Sequence, residues 1–90
     1  MRMILFSIYD KRAKVFLVPF PARSEIDAQR QIRASFDSPQ MRDTPIAKHP
    51  DDFALMVLGT FDDESGVLTC QNPELVSEIT SLIPPSTVAS

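Results

Sequence analysis

Glycine is nearly missing from this 90-residue chain, with two positions only, Gly59 and Gly66. That scarcity excludes a phosphate-cradling loop of the GxGxxG or Walker type, because such loops need several residues free of a Cβ. Tryptophan is absent, and histidine and cysteine occur once each, as His49 and Cys70. One cysteine cannot staple a domain, and a lone thiol suits a reducing compartment. No CxxC, HExxH or paired histidine offers zinc-ligand spacing. A nucleophilic Cys70 needs a base, and His49 lies some twenty residues away on a different element, so the passive thiol is the simpler reading. No catalytic constellation emerges: the expectation is a non-enzyme without cofactor or metal. Asp62-Asp63-Glu64 lacks the alternating ligands and closing Glu of an EF-hand and reads as a turn.

Long apolar runs are lacking too. The stretch Met3–Ile8 is too short for a signal-peptide core and is followed by Asp10, Lys11 and Arg12. No segment approaches the roughly 18–20 apolar residues of a membrane span. The expected location is the cytoplasm. The length suits one domain near the lower limit of independent folding, expected over residues 1–85 with 86–90 as a frayed tail. The hydrophobic fraction of 43% suffices for one small core.

Positive charge is missing from the entire second half. All nine Lys and Arg residues lie within residues 1–48, where five carboxylates oppose them, a balance of +4. Residues 51–90 hold seven carboxylates and no base, a balance of −7. Such asymmetry suggests a polyanion-binding surface joined to an acidic one. The alternative is that the halves interleave in space and their charges simply solvate the surface.

What is present alternates between strand and helix signals. Met3–Tyr9 and Lys14–Val18 are rich in β-branched and aromatic types and read as a hairpin across Asp10–Ala13. Pro19 ends the second strand or places it at an edge. Pro21–Arg23 reads as a connector. Ser24, three residues before Asp27, resembles a capping box and predicts a helix over Glu25–Phe36. Ala28, Ile32, Ser35 and Phe36 share one face of it; Arg30 and Arg33 lie opposite, with Ile26 between them. Residues 37–50, with Pro39, Pro45 and Pro50, read as a long loop. Phe53–Phe61 and Val67–Cys70 predict a second hairpin, with Gly66 at positive φ in its turn. Asn72-Pro73 reads as a helix start, with Leu75, Ile79 and Leu82 at helical spacing and Pro84-Pro85 as its stop. The expected architecture is α+β: a small four-stranded, largely antiparallel sheet with helices on one face, in ββα-ββα order.

Both sheet faces are apolar in this reading. Ile4, Phe6 and Ile8 oppose Met3, Leu5 and Tyr9 along the first strand, and Phe53, Leu55 and Val57 oppose Ala54, Met56 and Leu58 along the third. Helices cover one face only. A second copy of the chain would cover the other, giving a homodimer, or Tyr9, Phe16 and Phe20 would serve as a stacking platform for bases.

The stretches IYDKRAKVFLVPF, AQRQIRASF and above all KHPDDFALMVLGTFDDESG carry a resemblance. Lys48, His49, Pro50, Asp51, Asp52 and Phe53, then Gly59, Phe61, Asp62, Asp63 and Gly66, are similar to a pattern in the small nonstructural protein of gokushoviruses and related microviruses, phages with single-stranded DNA. It covers roughly residues 5–70. The resemblance implies a DNA-binding protein of viral single-stranded genome synthesis, acting in the host bacterial cytoplasm. The strand-contacting residues expected are then Lys11, Arg12, Lys14, Arg23, Arg30, Arg33, Lys48 and His49 for phosphates, and Tyr9, Phe16 and Phe20 for bases. His49 also reads as a turn-stabilising residue before Pro50. The acidic half suits solubility or a basic partner, such as a host or phage replication protein. The other functional class is a protein–protein module, an assembly factor or an inhibitor of a host protein, favoured by the acidic pI of about 4.9.

Overall fold

The computed structural model describes residues 1–83; the expected tail and Pro84-Pro85 stop lie outside the described residues. The fold is α+β, built on an antiparallel sheet. Five strands form it: β1 Arg2–Asp10, β2 Val15–Phe16, β3 Phe20–Ala22, β4 Phe53–Asp62 and β5 Leu68–Glu78. They occupy four lanes, because β2 and β3 both pair with the outer edge of β1, followed by β4 and β5. The expected second strand, Lys14–Val18, is thus cut short, and the expected connector is partly a strand. The split has a visible cause. Pro19 has no N–H to give the ladder, and the Ser7 hydroxyl, fully buried, donates to the Leu17 carbonyl at 2.6 Å where the lane breaks.

Helix α1 spans Glu25–Ser35 and lies on one sheet face. Its start is set as the sequence suggests: the Ser24 hydroxyl accepts the Asp27 N–H at 3.1 Å. Asp27 reaches back to the Arg23 N–H, also 3.1 Å, one residue beyond the usual box partner. Ala28 and Ile32 drop into the core with Phe6, Ala22, Phe53, Leu55, Ile79 and Leu82. The proline-rich stretch is a chain of short helical turns, 3₁₀ at Pro39–Asp43, helix α2 at Pro45–Lys48, and 3₁₀ again at Pro50–Asp52. Each proline stands at the first position of its turn, where its missing N–H costs nothing.

The main departure is at the second expected helix. Asn72-Pro73 opens no helix; β5 runs straight through it to Glu78 and ends in a 3₁₀ turn, Ile79–Leu82. About half of the ten residues of β4 direct their backbone groups away from β1, and a four-residue return strand leaves most of those groups unpaired. The ladder skips from Gly59↔Cys70 to Val57↔Glu74, so Gln71–Pro73 bulge out opposite Leu58. Pro73 therefore falls where no hydrogen bond is asked of it, on an edge strand. Ile79 and Leu82 still reach the core, by the turn rather than by a helix face.

At the far end of the sheet, the β4–β5 turn is held to the start of β1. The N-terminal ammonium meets the Asp63 carboxylate at 2.7 Å and Glu64 at 3.6 Å. The hydrogen bond to Asp63 raises the pKa of the amine above its ordinary 8.0. The Glu64 N–H, with further help from Ser65, lowers that of Asp62 below its ordinary 3.8. A raised amine contributes stability fully below pH 8.0, lost as pH rises through its folded value. A lowered carboxyl contributes stability above pH 3.8, lost as pH falls through its folded value. The expected melting profile is flat between these limits as far as this turn is concerned. Acetylating the amine should blunt the alkaline decline, and Asp62→Asn the acid one; thermal melts across pH read both.

Candidate nucleic-acid interface

The β1–β2 turn concentrates the chemistry. Asp10 organises it: its carbonyl accepts the Lys14 N–H at 2.7 Å, and Oδ1 accepts the N–H groups of Arg12 and Ala13, both at 3.0 Å. Lys14 takes the left-handed conformation, φ +60°, that closes the turn. Beneath the turn Tyr9 and Phe16 are cross-strand partners. Their rings lie 4.6 Å apart, tilted by 44°. Phe16 is 43% exposed. The pair stands on the sheet face opposite α1, since Phe6 and Ile8, the alternate residues of β1, belong to the core side.

The segment after α2 abuts this turn. The Lys11 N–H donates to the Asp52 carbonyl at 2.9 Å. Its ammonium bridges the Asp51 carbonyl at 3.2 Å and the Glu78 carboxylate at 2.6 Å. Arg12 approaches the Asp52 carboxylate at 3.8 Å. Lys48 and His49, both exposed, precede that segment directly. Tyr9, Lys11, Arg12, Lys14 and Phe16 therefore cluster, with Lys48 and His49 leading into the same end of the sheet.

The remaining expected residues sit elsewhere. Phe20 faces the other way: it is half-buried, packs on the core, and its ring lies 6.0 Å from that of Phe6. Arg23 follows β3 at the start of α1. Arg30 and Arg33 are exposed on the outer side of α1 with Ile26, as the helical spacing predicts.

The two charge halves do not stay apart. Lys11 with Glu78, Arg12 with Asp52, and the N-terminal amine with Asp63 each join the basic half to the acidic half. Interleaving, the alternative weighed above, describes these three contacts. Pairs such as Lys11 and Glu78 are 67 residues apart in sequence, so only the long return of β5 brings them together. Among the described residues Lys14 makes no ion pair.

One more concavity, of about 460 Å³, lies between the end of α1 and the proline-rich turns, lined by Phe36, Met41, Arg42, Ala47 and Ile83. Arg42 is the one polar side chain among these lining residues. No helix among the described residues is long and apolar enough to cross a membrane.

Among known proteins, residues 3–82 match the family described as Phage ORF5 protein. No curated protein matches the chain, and no solved structure does.

Proposed function

We propose a function for this chain as a member of the phage ORF5 protein family, to which it belongs: sequence-tolerant binding of single-stranded DNA. The viral setting is that of gokushovirus-type microviruses, where the protein supports or protects single-stranded genome synthesis in the host cytoplasm. The observation that carries the reading is the Tyr9–Phe16 pair, Tyr9 half-buried and Phe16 exposed, beside the turn bearing Lys11, Arg12 and Lys14. Aromatic faces accept any base, at about 1–3 kcal/mol per stacked base, and adjacent cations neutralise the intervening phosphates. Lys14 is the phosphate ligand at once available. Lys11 and Arg12 engage a strand by exchanging their carboxylate partners for phosphate. Lys48 and His49 extend the path on one side; Arg23, Arg30 and Arg33 would serve only a strand that turns around the β2–β3 edge.

Phe16→Ala tests this directly. It removes a half-exposed ring, leaves the core intact, and should weaken binding of a fluorescent oligonucleotide by about 1–3 kcal/mol, roughly 5- to 150-fold. Equal affinity of parent and variant sinks the stacking platform.

A second reading, a protein–protein module, is favoured by a different observation: the sheet face opposite α1 is apolar and free of charge over most of its area. Binding carried by that face would hardly respond to salt, whereas phosphate binding loses affinity with a log–log slope of about −0.7 per phosphate contact.

A further inference from the structure

Residues 11–23 hold Lys11, Arg12, Lys14 and Arg23 and no carboxylate. The fold lays this whole stretch along one margin of the sheet. The β1–β2 turn, β2, the connection Leu17–Pro19 and β3 follow one another down the outer edge of β1, from Asp10↔Val15 to Ile4↔Ala22. The steps along β1 from Asp10 to Ile4, at about 3.3 Å each, make this margin about 20 Å long. Cations stand at both of its ends. Between them Val15, Phe16, Leu17 and Val18 are all exposed, so no opposing charge interrupts it.

The far end of the margin meets α1. The Gln31 amide donates to the Pro21 carbonyl at 3.4 Å. A shallow cleft of about 170 Å³ opens there between β3 and the helix, lined by Phe20, Gln31, Ile32 and Ser35. Arg23 follows β3 directly, and Arg30 precedes Gln31. Both are exposed, and neither makes an ion pair among the described residues. Of the two carboxylates between them in sequence, Asp27 accepts the Arg23 N–H at 3.1 Å and Glu25 lies in the first turn of the helix.

The chemistry of this margin suits an extended polyanion. Pro19 and Pro21 withhold two N–H groups from it, which opposes strand addition by a protein. The other ways out of the hairpin are acidic: Asp51 and Asp52 follow Lys48 and His49 at once, and β5 carries Glu74 and Glu78. We infer that the bound single strand runs along the outer margin of the sheet, from the Tyr9–Phe16 pair past Val18 to the cleft between β3 and α1. Arg23 and Arg30 are its distal phosphate ligands. The inference rests on the strand-binding reading and adds the direction and reach of the site. The margin takes about six nucleotides at the roughly 3.4 Å rise of a stacked strand, and fewer when the strand is extended.

Fluorescence anisotropy of the full chain with labelled oligo(dT) tests the route. The affinity of the parent should climb as the strand grows from about 4 to about 8 nucleotides, the lower part of the range such grooves cover. Arg23→Ala/Arg30→Ala should remove most of that climb. On a strand of about 12 nucleotides it should also flatten the log–log salt slope. Two contacts at about 0.7 each give about 1.4 units, roughly 7-fold less sensitivity between 50 and 200 mM salt. Both arginines are exposed, so its melting curve should overlay that of the parent. Arg42→Ala, which removes an exposed arginine of the proline-rich turns, should bind like the parent. Three results overturn the route. One is a double variant equal to the parent at every strand length, and another is a loss shared equally by Arg42→Ala. The third is displacement of the strand by polyglutamate of equal charge as readily as by unlabelled oligo(dT), which marks a surface for acidic proteins. Phe16→Ala keeps the two ideas apart. If it weakens binding and the double variant does not, the strand binds at the hairpin but leaves by another way; if neither does, the strand-binding reading itself fails.

Discussion

Gly59→Ala should cost at least about 3–4 kcal/mol, lowering the thermal midpoint by roughly 12–30 °C or abolishing the cooperative transition. A Cβ built on Gly59 meets the Thr69 carbonyl oxygen at 2.2 Å and the Cys70 Cα at 3.1 Å. Both are backbone atoms of the neighbouring strand, so no side chain can rotate away. Relief requires β4 and β5 to separate at the point where Leu58 and Gln71–Pro73 already interrupt the ladder. The backbone there has φ +158°, a value L side chains rarely adopt. Chains of this length have about 5–13 kcal/mol of stability in all, so the loss is a large share of it. Gly66→Ala is the matched comparison. It keeps φ at +75° in the β4–β5 turn, yet nothing lies within 4 Å of an added Cβ, so the cost should be only about 1 kcal/mol, from the left-handed conformation. Chemical or thermal melts of the two variants read the difference. Equal losses would show that conformation, not close approach, fixes Gly59.

Gly59 also marks the limit of what the sequence can say. Gly66 is legible, because Asp-Asp-Glu-Ser-Gly between two apolar runs is a local turn signal. Gly59 looks like a weak point in a strand, and only its neighbour on β5 reveals its purpose. The same division runs through the fold. Helix α1, the β1–β2 hairpin and strand β4 are written in local alternation, capping residues and turn chemistry, and the chain follows them. The stretch Asn72–Leu82 carries a helix-like spacing, yet becomes strand and 3₁₀ turn because the open side of β4 needs hydrogen-bond partners along its whole length. Tertiary pairing there overrides local preference.

The candidate site divides in the same way. Neighbours in the hairpin, from Tyr9 through Phe16, are brought together as hairpin geometry demands. Phe20 is separated from them by register: it stands opposite Phe6 and inherits that residue's face. Nothing local signals Glu78 or Asp52 as partners of the basic turn. The acidic stretch that reads as a distant surface instead supplies counter-ions to it.

Those counter-ions set the last expected result. Lys11→Ala/Arg12→Ala/Lys14→Ala should weaken oligonucleotide binding for all sequences alike and flatten the log–log salt slope by up to about 2 units, at about 0.7 per lost phosphate contact. Two units correspond to roughly 16-fold less sensitivity between 50 and 200 mM salt. Lys14 accounts for its share without opposition. Lys11 and Arg12 must first leave Glu78 and Asp52, so part of their attraction for phosphate is spent within the fold. Removing those carboxylates with Glu78→Gln and Asp52→Asn should therefore move binding the other way: tighter at low salt, with a slope no shallower than that of the parent. Both substitutions keep side-chain size, and the pairs are solvent-accessible, each worth at most about 1 kcal/mol to stability, so the fold should persist. Asp63→Asn/Glu64→Gln serves as the control. Along β1 the pairing runs from Asp10↔Phe53 to Arg2↔Asp62, placing that turn about 25 Å from the hairpin at some 3.3 Å per residue. Screening over about 8–10 Å hides it, and binding should not change. Fluorescence anisotropy at several salt concentrations measures all four proteins. Should the hairpin variant bind as tightly as the parent at every salt, the β1–β2 turn is not the phosphate contact, and the uncharged sheet face, with a protein partner, takes its place as the functional surface.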